Sequence, residues 1–140
     1  MSDVVLDASV AAKWIFWESG SDIAQTLLDE PYLFYVPDIF YVEMDAIIAK
    51  KFRKRELNSG EAYVKRAQVQ RLALEKWSHL RLADIAFDVS VTLTITIYDA
   101  IYLALAVEKE TVMWTADDRL VRGIRNTFLS DYVINPLHTK

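Results

Sequence analysis

Short, almost unbroken apolar runs alternate along this chain with longer stretches in which apolar residues return every three or four positions. The first run, Val4-Val5-Leu6, reads as a buried strand that ends at Asp7. Residues 8–17 carry the helical period, and Ser21 reads as the N-cap of a second helix over 21–28. Residues 33–36 form a second strand, stopped by Pro37, and Asp38 reads as the cap of a long helix to about position 55. Asn58 or Ser59 opens another helix, expected over 59–77, with Glu61 in its first turn. Beyond it lie a short strand over 80–82 and a helix over 84–93. A helix opened by Asp99 and running to 109 follows, then a strand over 111–115, a short helix over 118–125 and a last strand over 132–134. Strands that are apolar on both faces and alternate with helices predict an α/β sandwich around a mostly parallel sheet.

Composition supports this picture. A chain of 140 residues, 53% hydrophobic and 26% charged, fits one domain over 1–140 with one core. Three glycines and three prolines leave little room for long loops. The chain has no cysteine, which excludes disulfides, thiolate metal sites and a cysteine nucleophile, and is compatible with a cytoplasmic setting. No basic leader precedes an apolar segment, and the most apolar later region, 93–107, is interrupted by Asp99 and by threonines, so no membrane association is expected.

Charge adds one qualification. The net charge of −4 and pI near 5.1 give no overall attraction to nucleic acid. Half of the basic residues nevertheless fall within 50–71: Lys50, Lys51, Arg53, Lys54, Arg55, Lys65, Arg66 and Arg71, against Glu56 and Glu61. Arg119, Arg122 and Arg125 follow Asp117. Such a stretch is either a solvated helical face or a surface that guides a polyanion.

The candidate chemistry is carboxylate chemistry. Ligands of open parallel sheets bind beyond the carboxyl ends of the strands. Asp7 and Asp117 follow two of the predicted strands, and Asp99 begins a helix. Each of the three is equally readable as an ordinary helix cap. Glu43 is different, because it shares a helix face with Ile39, Phe40 and Ile47, where a lone charge is costly to bury. It needs a cation, a proton or a basic partner from elsewhere. Asp45 sits about 200° further round the same helix and is expected in a buried hydrogen bond or a subunit contact. Oxygen ligands from separate segments suit Mg²⁺ or Mn²⁺. With only His79 and His138 present, an imidazole zinc site or a catalytic triad has little support, and no phosphate-binding glycine loop occurs.

Four segments in order carry a resemblance: Val4-Val5-Leu6-Asp7-Ala8-Ser9-Val10, Pro37-Asp38-Ile39-Phe40-Tyr41-Val42-Glu43, Tyr98-Asp99-Ala100-Ile101-Tyr102-Leu103-Ala104-Leu105-Ala106 and Thr115-Ala116-Asp117-Asp118-Arg119-Leu120. Each block is weak alone, but together they span nearly the whole chain and resemble the PIN-domain family, within it the VapC-like toxins of toxin–antitoxin pairs. The resemblance implies a three-layer, Rossmann-related sandwich with a five-stranded sheet. It also implies an endoribonuclease that depends on Mg²⁺ or Mn²⁺, usually a homodimer. Asp7, Glu43, Asp99 and Asp117 match the acidic tetrad of the metal and catalytic site, and Ser9 and Thr115 match supporting hydroxyl positions. Ala46 departs from the pattern, since many relatives carry Asn three residues after the helix glutamate.

The expected reaction is in-line hydrolysis of an RNA phosphodiester by a metal-activated water, with a 3′ oxygen leaving. Asp7 and Asp99 would ligate the metal directly. Asp117 would bind a second ion or act through water, and Glu43 would hold a water or serve as base. Expected partners are RNA, with tRNA or rRNA as candidate targets, and a cognate antitoxin protein. Aromatic residues early in the chain (Trp14, Phe16, Trp17, Tyr32, Phe34 and Tyr35) divide between core and an interaction surface. The competing reading is a catalytically weak or inactive module of the same fold that binds RNA or protein.

Overall fold

The computed structural model describes residues 2–138. In chain order the elements are β1 (Ser2–Leu6), α1 (Ala8–Ile15), α2 (Ser21–Leu28), β2 (Tyr32–Pro37), α3 (Ile39–Arg53), α4 (Ser59–Gln70) and β3 (Leu74–Trp77). A 3-10 turn at His79–Arg81 leads into α5 (Ala83–Leu93), α6 (Ile97–Glu108), β4 (Val112–Trp114) and α7 (Asp118–Ile124). A second 3-10 turn at Ser130–Tyr132 precedes β5 (Val133–Ile134). The strands form one five-stranded sheet in the order β3-β2-β1-β4-β5, and every adjacent pair is parallel.

This order creates the site. β1 pairs with β2 on one side and with β4 on the other, so the chain leaves the two central strands in opposite directions. The crevice opened there lies beyond the carboxyl ends of β1 and β4. The ladder between them continues one step past the strands, where the Asp7 amide donates to the Trp114 carbonyl at 3.0 Å.

Burial explains the rest of the architecture. Val4, Val5 and Leu6 are at most 2% exposed, as a central strand covered on both faces requires. Every residue from Ala100 to Ala106 is buried, and α6 lies across β1, β2 and β4. A helix this apolar all round belongs to a core. It packs against α5, while α1 packs with α2, α3 and α4. Among the described residues no single helix is long and apolar enough to cross a membrane; α5 and α6 approach that composition only as a pair bent by 117°.

Most of the early aromatic residues go to the core. Trp14, Tyr32 and Phe34 join Trp114 in an edge-to-face cluster, with ring centroids 5.3 Å apart for Trp14–Phe34 and 4.7 Å for Tyr32–Trp114. Phe16 is buried beneath the ammonium groups of Lys51 and Lys65. Trp17 stands out into solvent, 76% exposed.

Several local expectations fail for identifiable reasons. Residues 80–82 are not a strand; a 3-10 turn occupies 79–81, opened by Ser78, whose hydroxyl accepts from the Leu80 amide. The edge strand is instead Leu74–Trp77, which the helical period had assigned to the end of α4. Leu-Glu-Lys-Trp has no strand signature of its own and is extended because it pairs with β2, from Phe34↔Leu74 to Pro37↔Trp77. Ser21 does not cap α2. Gly20 holds that position at φ +88, a conformation open to glycine, and Ser21 Oγ ties the preceding turn by donating to the Phe16 carbonyl and accepting from the Glu18 amide. Asp38 does not cap α3; its carboxylate accepts from the His79 amide and faces His79 Nδ1, both at 2.9 Å.

Candidate active site

Asp7 is the first residue after β1 and occupies the N-cap position of α1, yet its side chain caps nothing. It turns instead toward β4. Thr115 Oγ1 donates to Asp7 Oδ2 at 2.9 Å, and Ser9 Oγ donates to the same oxygen at 2.6 Å. Each hydroxyl carries one proton, so the 3.4 Å approach between Ser9 and Thr115 is a contact left over once both protons are committed to Asp7. Both hydroxyls in turn accept backbone amides, Ser9 from Ala116 at 2.9 Å and Thr115 from Asp117 at 3.1 Å. A closed set of bonds thus joins the ends of β1 and β4. Oδ1 of Asp7 has no side-chain donor among the described residues.

Asp7 is 8% exposed, and this burial pushes its carboxyl above the usual range. The two hydroxyl bonds oppose the shift, and Asp117 adds repulsion to it. Asp99 is raised for the same leading reason, with repulsion from Asp7 and Asp117. Glu43 is also raised, first by burial and then by Asp7 and Asp99. The four expected acids come from β1, α3, α6 and the end of β4, and they act on one another across a shared space. No cation neutralises Asp7, Glu43 or Asp99 among the described residues; Arg119 lies 3.7 Å from Asp117. Nor are any three acidic or imidazole side chains, among those residues, drawn into a ready-made ligand cluster.

The cap question receives a different answer for each aspartate. Asp99 lies in the first turn of α6, where Thr96 is the cap and accepts the Asp99 amide at 3.1 Å. Asp117 does cap α7, accepting the Arg119 amide at 2.9 Å and the Leu120 amide at 3.4 Å through Oδ1. For Glu43, the basic partner that the sequence left open does not exist among the described residues. Its Oε1 accepts a 2.6 Å bond from the hydroxyl of Tyr102.

Tyr102 is the site residue that the sequence did not single out. It is fully buried, and its phenol is held well above its usual pKa by burial first and by Asp7 and Glu43 next, so it remains a donor. The available signal was its spacing, three residues after Asp99 and therefore on the same helical face. Support for Glu43 comes from this phenol, while Ala46 is exposed. Asp45 takes no part; it forms an exposed two-bond pair with Arg66, at 2.9 and 3.2 Å, rather than a buried hydrogen bond.

The same architecture occurs in solved structures. A toxin–antitoxin complex from Klebsiella pneumoniae contains a chain with TM-score 0.66 and 13% identity, with 95% of this chain and 97% of that one covered. A Neisseria gonorrhoeae structure, FitAcB, gives 0.67 at 17% identity, covering 97% and 99%. A Mycobacterium tuberculosis VapC toxin, described as cleaving the sarcin–ricin loop, gives 0.62 at 15% identity, covering 81% and 89%. Identities this low establish a common fold. Comparison with curated proteins yields no significant match. The family model that does match is the PIN domain, over residues 4–124. That span runs from β1 to the end of α7 and takes in all four acids, and on it the chain belongs to the PIN-domain family.

Proposed function

We propose that this protein is a divalent-metal-dependent endoribonuclease and the toxin of a toxin–antitoxin pair. The observation that carries the reading is Asp7, a buried carboxylate at the switch point of the sheet, repelled by three other acids with no cation against it. Carboxylates held above their usual pKa favour a proton or a cation, and an all-oxygen donor set suits Mg²⁺ or Mn²⁺. When bound, such an ion polarises the phosphodiester and makes water a nucleophile at neutral pH.

The protein's own groups have separable tasks. Asp7 and Asp99 would hold the ion. Ser9 and Thr115 fix the Asp7 carboxylate by donating to Oδ2, which leaves Oδ1 for ligation. Asp117 uses Oδ1 as a helix cap, so Oδ2 is its oxygen for a second ion or a bridging water. Glu43, oriented by Tyr102, holds the attacking water or accepts its proton. The toxin reading is supported by the fold shared with a chain of a toxin–antitoxin complex and with a VapC toxin, and it carries with it a cognate antitoxin and a homodimer.

The alternative, a binding module of the same fold without catalysis, draws on the lack of a preassembled ligand cluster among the described residues. One experiment separates the two. Purified protein is incubated with a mixed RNA pool that includes tRNA and rRNA, with Mg²⁺ or Mn²⁺, beside EDTA and Asp99→Asn controls. Cleavage confined to the metal-replete native protein is expected. An absence of both cleavage and Mn²⁺ binding by titration would move the assignment to the binding module.

A further inference from the structure

We infer that the lysine-lined cleft beside the acidic site is a binding site for the sugar–phosphate backbone of RNA, with Lys50 and Lys54 as its principal contacts. This rests on the nuclease reading and specifies how the substrate would be held. The cleft has a volume of about 470 Å³ and is walled by Lys13 of α1 and by Lys50, Lys51 and Lys54 of α3 and its end. Ser9 and Ala116 also line it. Those two residues belong to the bond set that fixes Asp7, so a polymer lying in the cleft leads directly to the acids.

The four lysines are not equivalent. Lys13 is tied to Glu18 at 3.3 Å and to the Ser19 carbonyl at 2.6 Å. Lys51 faces Glu56 at 3.7 Å and lies over the Phe16 ring. Both glutamates also line the cleft, and each is offset by its own lysine. Lys50 and Lys54 have no acidic partner among the described residues, and both are exposed. Spaced i and i+4, they stand one above the other, about 6 Å apart along the helix. The cleft therefore presents two uncommitted positive charges in a row beside a strongly negative centre. A polyanion needs this arrangement to approach the acids, because the chain as a whole repels it at −4.

The plainer role for these lysines is to complement the negative end of the α3 dipole. That role predicts a loss of stability on neutralisation and no change in RNA affinity. An acidic peptide from a partner would suit the same charges, but the lining of the cleft by Ser9, which bonds Asp7, favours the polymer that would be cut.

The test is the binding of a fluorescent mixed-sequence oligoribonucleotide in EDTA across a salt series, with cleavage in Mn²⁺ measured in parallel. The variant is Lys50→Gln with Lys54→Gln. The control is Lys76→Gln with Lys109→Gln, an equal charge change at lysines outside the cleft that stack on Tyr41 and on Tyr35 and Trp77. The cleft variant should bind about tenfold more weakly at low salt. The slope of log affinity against log salt should fall by about 1.4, roughly 0.7 for each lost phosphate contact. In Mn²⁺ its KM should rise with kcat little changed, while the control tracks the native protein in every assay. Equal loss in both variants, or no loss in the cleft variant, overturns the assignment; the latter leaves the lysines to the α3 dipole. Native protein that binds and cleaves RNA while the cleft variant is unaffected would sink this inference alone. Native protein that neither cleaves RNA nor binds Mn²⁺ would sink the nuclease reading, and failure of the native protein to bind the oligoribonucleotide would sink this inference.

Discussion

At the scale of single residues, the site is a problem of like charges held close together. Asp7 gains two hydroxyl bonds but loses its hydration, and repulsion adds to that loss. Asp7→Asn keeps an acceptor for Ser9 and Thr115 while removing the charge. It should lower RNA cleavage by about a thousandfold, the scale set by removing one charge-stabilising group. In EDTA it should melt no lower than the native protein, and roughly a few degrees higher. Calorimetry beside a cleavage assay checks both, and retained activity would remove Asp7 from the assignment. Tyr102→Phe deletes only the donor to Glu43. A bond to a charged group contributes about 1.5–3 kcal/mol. Cleavage should fall at least about tenfold, with weaker Mn²⁺ binding by titration and a preserved fold. A variant with native kcat and Mn²⁺ affinity would leave Tyr102 only a packing role. The two residues also differ in legibility. Asp7 was visible because it ends an apolar run. Tyr102 was hidden because a tyrosine in an apolar helix reads as core, and only the fold, which brings its hydroxyl within 2.6 Å of Glu43, shows what that hydroxyl meets.

At the scale of elements, helix ends were readable where a side chain bonds its own backbone and misleading where it reaches elsewhere. Asn58, one of the two caps that the sequence offered, makes a reciprocal capping box with Glu61, at 2.8 and 2.9 Å. Asn58→Ala should cost about 1 kcal/mol and lower Tm by about 3–5 °C, with cleavage unchanged, as thermal melting would register. Asp38 and Ser21 look like equally good caps, but their partners are His79 and the turn between Phe16 and Glu18. Strand β3 shows the same limit. Leu74–Trp77 is rich in helix formers, and only the open edge of β2 makes it extended. Glu75 and Lys76 then face solvent on that edge, where charge discourages pairing with another sheet.

For the whole molecule, the raised carboxyls imply an unusual response to pH. An acid whose pKa is higher in the folded state binds more protons there, so folding weakens as pH rises from the unfolded value of about 4 toward the raised folded value. Asp7, Glu43 and Asp99 all act in this sense. Asp118 acts in the opposite sense, its carboxyl lowered by bonds from Asn135 and His138, but it is exposed and its effect is screened. Metal-free protein should therefore melt higher at about pH 4.5, near the unfolded carboxylate values, than at about pH 8. Mn²⁺ affinity should run the other way and fall with acidification, since protons compete for the same oxygens. Melting curves in EDTA and in Mn²⁺ at both pH values would show the crossing, and a metal-free Tm that climbs with pH would contradict it.

The sequence by itself determined what is local or periodic. The order of strands and helices, the apolar run of the central strand, the start of α4 near Asn58 and the acids at the ends of apolar runs all follow from spacing and residue type over a few positions. Tertiary structure decided every question that depends on a partner far along the chain. It decided that Asp7 answers to Thr115 across a β1–β4 ladder while Asp117 remains a cap, and that Glu43 is met by a phenol 59 residues away. It also decided that a helix-like segment becomes an edge strand. The physical reason is common to these cases. A buried polar group or an open strand edge has to find a hydrogen-bond partner, and which one lies within reach is set by the packing of the sheet and its helices.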